Sequence, residues 1–283
     1  MKEISVAGYS VVPVRGSSLR LDGGAMFGVV PRALWKEKTG PDERNRIHLA
    51  TEPLLLKGRG RTILIEGGTS FNFDEKMADI YAVQGQPLRD TLVAMGTPPE
   101  SVDLVILTHL HFDHSGGLVT RDGEGALVPS FPNAPIVVQA GELADSLAPP
   151  AIRAASYRND DLGVLRDAGL FRPVDGDVEV AEGISVEAHS SHTRCHQVIR
   201  VGDGEGAVVF VGDLIPTTAH INPSWLMAYD LYPLDCAAAR KDLLQRASQE
   251  GWILYFYHDV TFKAGRVARN ERGAYTFQPL AGR

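Results

Sequence analysis

The sequence predicts an α/β fold, and three observations carry that expectation. Short apolar, β-branched-rich runs such as Val102-Asp103-Leu104-Val105-Ile106-Leu107 and Trp252-Ile253-Leu254-Tyr255-Phe256-Tyr257 have the look of buried strands. Stretches with apolar residues at helical spacing lie between such runs, at 74–96 (Ile80, Val83, Leu88, Leu92, Val93, Met95) and at 235–249. Several of the strand-like runs end in histidine or aspartate. Packing does not explain that, because polar groups at strand ends must find partners.

Length and composition set the outer bounds. The 283 residues, 44% hydrophobic and 22% charged, suit a soluble globular protein with a sizeable core. A formal net charge of -7 without any run of lysines or arginines argues against nucleic acid as the partner. No apolar stretch reaches membrane-spanning length, and Met1-Lys2-Glu3-Ile4 does not open a signal peptide, so a cytoplasmic protein without membrane contact is expected. Two cysteines, Cys195 and Cys236, make no disulfide framework and read as reduced thiols.

In chain order, residues 4–30 carry strands and turns, with Asp22-Gly23-Gly24 as turn chemistry. Met26 and Phe27 follow, as core residues or as the lining of an apolar substrate groove. Residues 31–48 are polar and punctuated, and read as an exposed excursion with the makings of a lid. Glu52 to Lys57 and Arg61 to Ile65 form a hairpin across Gly58-Arg59-Gly60. Phe71 and Phe73 lie on the loop after Glu66-Gly67-Gly68. Residues 74–96 read as a helix that Gly96-Thr97-Pro98-Pro99 stops. A strand at 102–107 follows, then a Gly- and Pro-rich loop or hairpin at 119–135, a strand at 135–139 and a short helix from Glu142 to Leu147. Helical structure with polar breaks fills 149–170, and strands resume at Phe171. From Ile184 the pattern is strand, histidine cluster, strand, turn and strand, ending in Gly212-Asp213. Irregular structure leads to a helix over 235–249 with Asp235 as N-cap, and the strand 252–257 ends in His258-Asp259.

The chemistry concentrates in Thr108 to Gly117, T-H-L-H-F-D-H-S-G-G, which holds His109, His111, Asp113 and His114. Neutral imidazoles and carboxylates are the ligands that zinc and similar divalent metals prefer. His109 and His111 alternate, whereas Asp113 and His114 are adjacent and can face different directions, so one loop can serve two neighbouring metals. The plain alternative is a solvated histidine-rich surface loop. The core strand just before it argues against that. The two glycines after the cluster suit a tight turn or a close backbone approach. Three more strands end in metal-capable residues: the His192 region, Asp213 and His258.

His-x-His-x-Asp-His after a hydrophobic strand resembles the signature of the metallo-β-lactamase-fold hydrolases. Ser191-His192-Thr193-Arg194-Cys195-His196 resembles that family's Gly-His-Thr-Pro-Gly-His, Gly212-Asp213 its strand-end aspartate, and Tyr257-His258-Asp259 its last ligand histidine. The resemblance covers residues 50–260. It implies an αββα sandwich of two mixed β-sheets flanked by helices, here as a single domain over 1–283. It also implies two divalent metal ions: His109, His111 and His192 on one, Asp113, His114 and His258 on the other, and Asp213 bridging. Zinc is expected, with iron, manganese or cobalt as alternatives. A shared hydroxide would be the nucleophile, with Asp113 as the catalytic group that passes a proton to the leaving group. The motif places the ligand at His192 rather than His189, and leaves His196 as a supporting residue.

Within the superfamily, Asp213 stands where exported class B β-lactamases place a cysteine, and His111 where diiron oxygen reductases place glutamate. The chain after His258 is too short for the glutathione-binding helices of glyoxalase II. What remains resembles the lactonase and methyl-parathion-hydrolase-like branch, carried also by Gly24-Ala25-Met26-Phe27-Gly28-Val29-Val30-Pro31 and Gly212-Asp213-Leu214-Ile215-Pro216. The implied activity is hydrolysis of a small-molecule lactone or carboxylic ester. A phosphotriester, or a mononuclear iron persulfide-dioxygenase-like reaction, is the alternative, and a homodimer is an open assembly. The chain departs from the family at Glu66, where aspartate is common, at Arg194 and Cys195, and at Pro216, where quorum-quenching lactonases carry a tyrosine. Tyr229 and His220 are therefore carried as substrate contacts, beside Met26 and Phe27.

Overall fold

The computed structural model describes residues 3–280. A hairpin of β1 (Ile4–Val6) and β2 (Tyr9–Pro13) opens the chain. β3 (Ser17–Asp22) then runs into a short helix α1 (Gly23–Phe27), followed by α2 (Arg32–Thr39) and β4 (Arg46–Thr51), which returns antiparallel along β3. β5 (Leu54–Gly58) and β6 (Arg61–Ile65) form the expected hairpin. Its turn residues Arg59 (φ 50°) and Gly60 (φ 70°) are both left-handed, the geometry that matches strand twist. Then come α3 (Glu75–Tyr81), the two-residue β7 (Gln84–Gly85), α4 (Leu88–Ala94), β8 (Leu104–Ile106) and α5 (Phe112–Ser115). The hairpin β9 (Val119–Arg121) and β10 (Leu127–Pro129) leads to β11 (Ile136–Gln139), α6 (Ala140–Leu147), α7 (Asn159–Asp167) and β12 (Phe171–Val174). The second half holds β13 (Val178–Ala181), β14 (Ile184–His189), β15 (His196–Val201), β16 (Val208–Phe210), α8 (Pro233–Glu250), β17 (Ile253–Tyr255), β18 (Ala264–Arg269) and β19 (Tyr275–Pro279).

The strands assemble into two seven-stranded sheets, ordered β1-β2-β5-β6-β8-β11-β12 and β13-β14-β15-β16-β17-β18-β19. Both are mixed: β6, β8, β11 and β12 run parallel, as do β16 and β17, while their other pairs are antiparallel. The sheets bury their inner faces against each other, with Leu54, Ile63, Ile65, Leu104 and Ile106 meeting Val186, Ile199, Val201, Phe210 and Tyr255. The outer face of the first sheet, through Leu55, Leu64 and Val105, packs on Leu88 and Leu92 of α4 and Leu162 and Leu165 of α7. The outer face of the second, through Val198, Val209 and Leu254, packs on Leu243, Leu244 and Ala247 of α8. The result is the expected αββα layering. It also explains why β6, β8 and β16 read as continuous apolar runs rather than alternating ones, since both faces of each strand are buried.

Four local expectations are corrected. The 74–96 helix is two helices, α3 and α4, separated by β7. Gly85 (φ 97°) runs so close to the Gly16 carbonyl that a Cβ there would collide with it, and Pro87 precedes the second helix. Asp22 does not make a turn but caps α1, accepting from the Ala25 amide at 2.7 Å. The 31–48 excursion is mostly helix and strand, anchored by the buried Trp35. The N-cap of α8 is Tyr232, with Pro233 opening the helix and Asp235 in its first turn. Strands β18 and β19 were not expected.

Candidate metal centre and active site

β6 and β8 run parallel, so both end on the same side of the first sheet. The parallel pair β16 and β17 ends at the same place in the second sheet. The loops leaving these ends carry Glu66, the 108–117 cluster, Asp213 and His258. The β14–β15 turn adds His192. Gly212 (φ 51°) lets the backbone pass between Thr108 and His196, where a Cβ would lie 2.7 Å from His196 Nε2 and 2.8 Å from Thr108 Cγ2. Gly116 and Gly117 press on Ser70 and on the Gly67 carbonyl, so the glycines after the histidine cluster serve close backbone approach.

The structure brings His109, His111, Asp113, His114, His192, Asp213 and His258 together, all buried. Three groups have ligand atoms within 4.8 Å of one another: His109, His111 and His192; His109, His114 and Asp213; Asp113, His114 and His258. His111 Nδ1 faces His192 Nε2 at 3.1 Å, and His258 Nε2 faces His114 Nε2 at 3.2 Å. Asp213 stands between the groups, with Oδ2 3.3 Å from His192 Nε2 and Oδ1 3.3 Å from His114 Nε2 and 3.1 Å from His258 Nε2. Asp113 Oδ2 lies 3.6 Å from His258 Nε2.

These residues fit a pair of divalent metals on two grounds. Ligands tetrahedral about a zinc-like ion at about 2.05 Å sit roughly 3.3 Å apart, which is the spacing these atoms already hold. The inward-facing His109 Nε2 and Asp213 Oδ1 are buried without hydrogen-bond partners, a costly arrangement for anything but a cation cradle. The electrostatics agree. Burial, then the neighbouring His114 and His111, push His109 well below the ordinary imidazole range; burial and His192 do the same to His111. Burial also works against charge on His114 and Asp213, but there it is outweighed. The carboxylates of Asp213, Glu66 and Asp113 hold His114 well above its usual range, and His114, His258 and His192 hold Asp213 well below its own.

The outer ring nitrogens of His109, His114, His192 and His258 each have a partner behind them, which favours the other nitrogen pointing inward. His114 Nδ1 lies 3.3 Å from Glu66 Oε2, while Glu66 Oε1 accepts from the Thr108 amide at 2.9 Å. Glutamate therefore serves here in place of the usual aspartate. His192 Nδ1 pairs with Asp230 Oδ1 at 3.0 Å, His258 Nδ1 with the Ala50 carbonyl at 2.8 Å, and His109 Nδ1 with Thr108 Oγ1 at 3.0 Å. His196 sits behind the centre, its Nε2 accepting from the Asp213 amide at 3.2 Å. His189 points away, toward Glu187 at 3.2 Å. Arg194, at the position of the family's proline, grips Asp145 of α6 with two 2.7 Å bonds and pins the loop from outside.

Of the expected substrate contacts, three are corrected. Met26 and Phe27 are buried in an aromatic cluster, with Phe27 stacked between Trp35 (5.2 Å) and His220 (4.6 Å), so neither lines an open groove. His220 is fully buried with both nitrogens engaged, to Thr217 Oγ1 at 2.8 Å and the Met26 carbonyl at 2.8 Å; it braces the 217–221 segment. Tyr229 alone keeps a half-buried place beside the centre. Burial first, then Asp22, Tyr81 and Asp113, push its hydroxyl above the usual phenol range. Phe73 packs on Tyr81 and Phe112. The sequence reading missed Asp230, which lies far along the chain from His192, and the fully buried Arg240, which donates to the carbonyls of Leu214, His220 and Trp225.

Fold and site together place this chain in a family: it belongs to the metallo-beta-lactamase superfamily, whose family model matches residues 53–258. It is a member of a metal-dependent hydrolase family with lactonase relatives. The chain is 27% identical over 234 residues to an N-acyl homoserine lactonase of Bacillus cereus, covering 78% of this chain and 86% of that protein. Among solved structures it is similar to a probable metal-dependent hydrolase from Staphylococcus aureus, with a TM-score of 0.88, 28% identity and coverage of 99% of this chain and 100% of that one. It shares its fold with a dizinc quorum-quenching lactonase solved in complex with a product, at a TM-score of 0.80 and 18% identity over 100% and 98% of the two chains.

Proposed function

We propose that this protein is a dinuclear, zinc-preferring hydrolase that cleaves an ester-type bond, with lactones and simple carboxylic esters as its substrate class. One observation carries the reading: seven metal-capable side chains converge from four loops into two adjacent clusters that share Asp213. His109, His111 and His192 would hold one metal, and Asp113, His114 and His258 the other. Bound there, the metals supply a water of lowered pKa and Lewis acidity toward a carbonyl oxygen.

The protein's own groups do the rest. Glu66, Asp230, Thr108 and the Ala50 carbonyl fix the imidazole orientations, so the ligands need little reorganisation. Asp113 carries the proton from the attacking water to the leaving alkoxide. Tyr229, which lies within the electrostatic reach of Asp113 and is kept protonated chiefly by burial, donates to the substrate carbonyl in the role a tyrosine at Pro216 would otherwise fill. The relatives' names support the ester-type reading, and the intact ligand set supports catalysis over a scaffold role. Purified, zinc-replete protein tested on lactones, aryl esters and phosphotriesters decides it. Turnover of lactones or esters that chelation abolishes and zinc restores is expected; well under one metal per chain, or turnover indifferent to chelation, overturns it.

A further inference from the structure

The turn at Ala151–Ser156 lies against the 225–230 segment, and Arg153 joins the two. Arg153 is 8% exposed. Its Nη2 donates to the Ala228 carbonyl at 3.0 Å, and its guanidinium carbon lies 5.9 Å from the centre of the Tyr229 ring. Its Nε is buried with no hydrogen-bond partner, and among the described residues Arg153 forms no ion pair. Asp230, whose charge acts on Arg153, has both oxygens engaged elsewhere, one on His192 and the other on the Met227 amide.

Its neighbours set Arg153 at the metal centre. Tyr157, four residues on, meets His111 edge to face at 4.9 Å, and Tyr229 adjoins the aspartate that holds His192. Arg240 shows what a structural arginine looks like in this fold: fully buried, with three carbonyls around it. Arg153 has one. Taking a guanidinium out of water without an ion-pair partner in contact is costly, and a planar fork with unused donors suits a carboxylate.

We propose that Arg153, beside Tyr229, is the recognition site for a carboxylate on the substrate that is not itself part of the cleaved ester bond. The inference rests on the hydrolase reading above and narrows it to anionic esters or lactones. A metal pair beside Arg153 would add positive charge and favour the same ligand.

The test compares kcat/KM for a dicarboxylic acid monoester bearing its free carboxylate with that for the neutral, amide-capped counterpart. Wild type is expected to prefer the charged substrate. Arg153→Met should lower the charged-to-neutral ratio by about 10- to 100-fold, the size of a hydrogen bond to a charged group, and Arg153→Lys should restore part of it. Binding of a non-hydrolysable dicarboxylic monoamide, measured by calorimetry, should weaken in Arg153→Met by a similar factor at unchanged metal content. A wild-type ratio at or below one, or a ratio that Arg153→Met leaves in place, overturns the proposal. Should the Met variant fail to fold, the wild-type ratio and the Lys variant still decide. Protein that binds the monoamide through Arg153 but hydrolyses no ester keeps this site and overturns the hydrolase reading. Equal turnover of charged and neutral esters does the reverse.

Discussion

At the scale of single residues, the histidines of the centre depend on partners outside the ligand set. His192 is aimed by Asp230 at 3.0 Å and His114 by Glu66 at 3.3 Å. Asp230→Asn removes the acceptor charge while keeping the volume, and is expected to weaken metal binding by about 10- to 100-fold, as such supporting groups do elsewhere. Competition against a chelator of known affinity measures this, and unchanged affinity would exclude Asp230 from the role. His114→Ala should leave one tightly held metal per chain in place of two, read by elemental analysis, because the His109, His111 and His192 group does not need it. Metal lost from both positions would show that the two clusters are not separable.

At the scale of elements, the segments around the centre are held by buried polar and aromatic anchors rather than by regular structure. His220 pins residues 217–221 to α1 through the Met26 carbonyl, and burial, then Arg240, brings its pKa down to about 4 from 6.5. The unfolded chain therefore takes up this proton at a higher pH than the folded one. The stability involved is complete above pH 6.5 and is lost as pH falls through the window down to about 4, at most about 3 kcal/mol. His220→Gln should flatten that dependence relative to wild type in urea unfolding at about pH 7.5 and about pH 5. Parallel curves for the two proteins would refute it. Trp35, the buried anchor of α2 against Phe27, is the matching apolar case: Trp35→Ala should cost about 3–5 kcal/mol, measured the same way, if α2 unfolds together with the sheets.

At the scale of the whole molecule, the two sheets meet at one core and at one candidate metal centre. His109 to His114 leave the first sheet, while His192, Asp213 and His258 leave the second. We propose that the chain therefore unfolds as one unit. Bound metal should raise the melting temperature of a single transition, and chelation should lower it, since only the folded chain brings both sets of ligands together. Two transitions, with only one moved by metal, would show that the halves fold independently.

Much of this molecule was legible in the linear sequence. Strands buried on both faces announce themselves as continuous apolar runs, and the candidate metal ligands follow them because a strand end is where a side chain can be aimed out of the core. Hence His109, His111, Asp113 and His114 could be named as candidates, and the resemblance to the family's later motifs then pointed to His192, Asp213 and His258. What only the tertiary structure decided has no local pattern. Asp230 meets His192, Arg153 meets the 225–230 segment, and Met26 and Phe27 turn inward against Trp35 and His220, because the packing of distant segments sets which polar group finds which partner. The helix that became α3, β7 and α4 failed for the same reason: a backbone contact between Gly85 and Gly16 overrode helical spacing. Local chemistry marked out the candidate metal centre. Long-range packing determined what surrounds it, and so what it is shaped to bind.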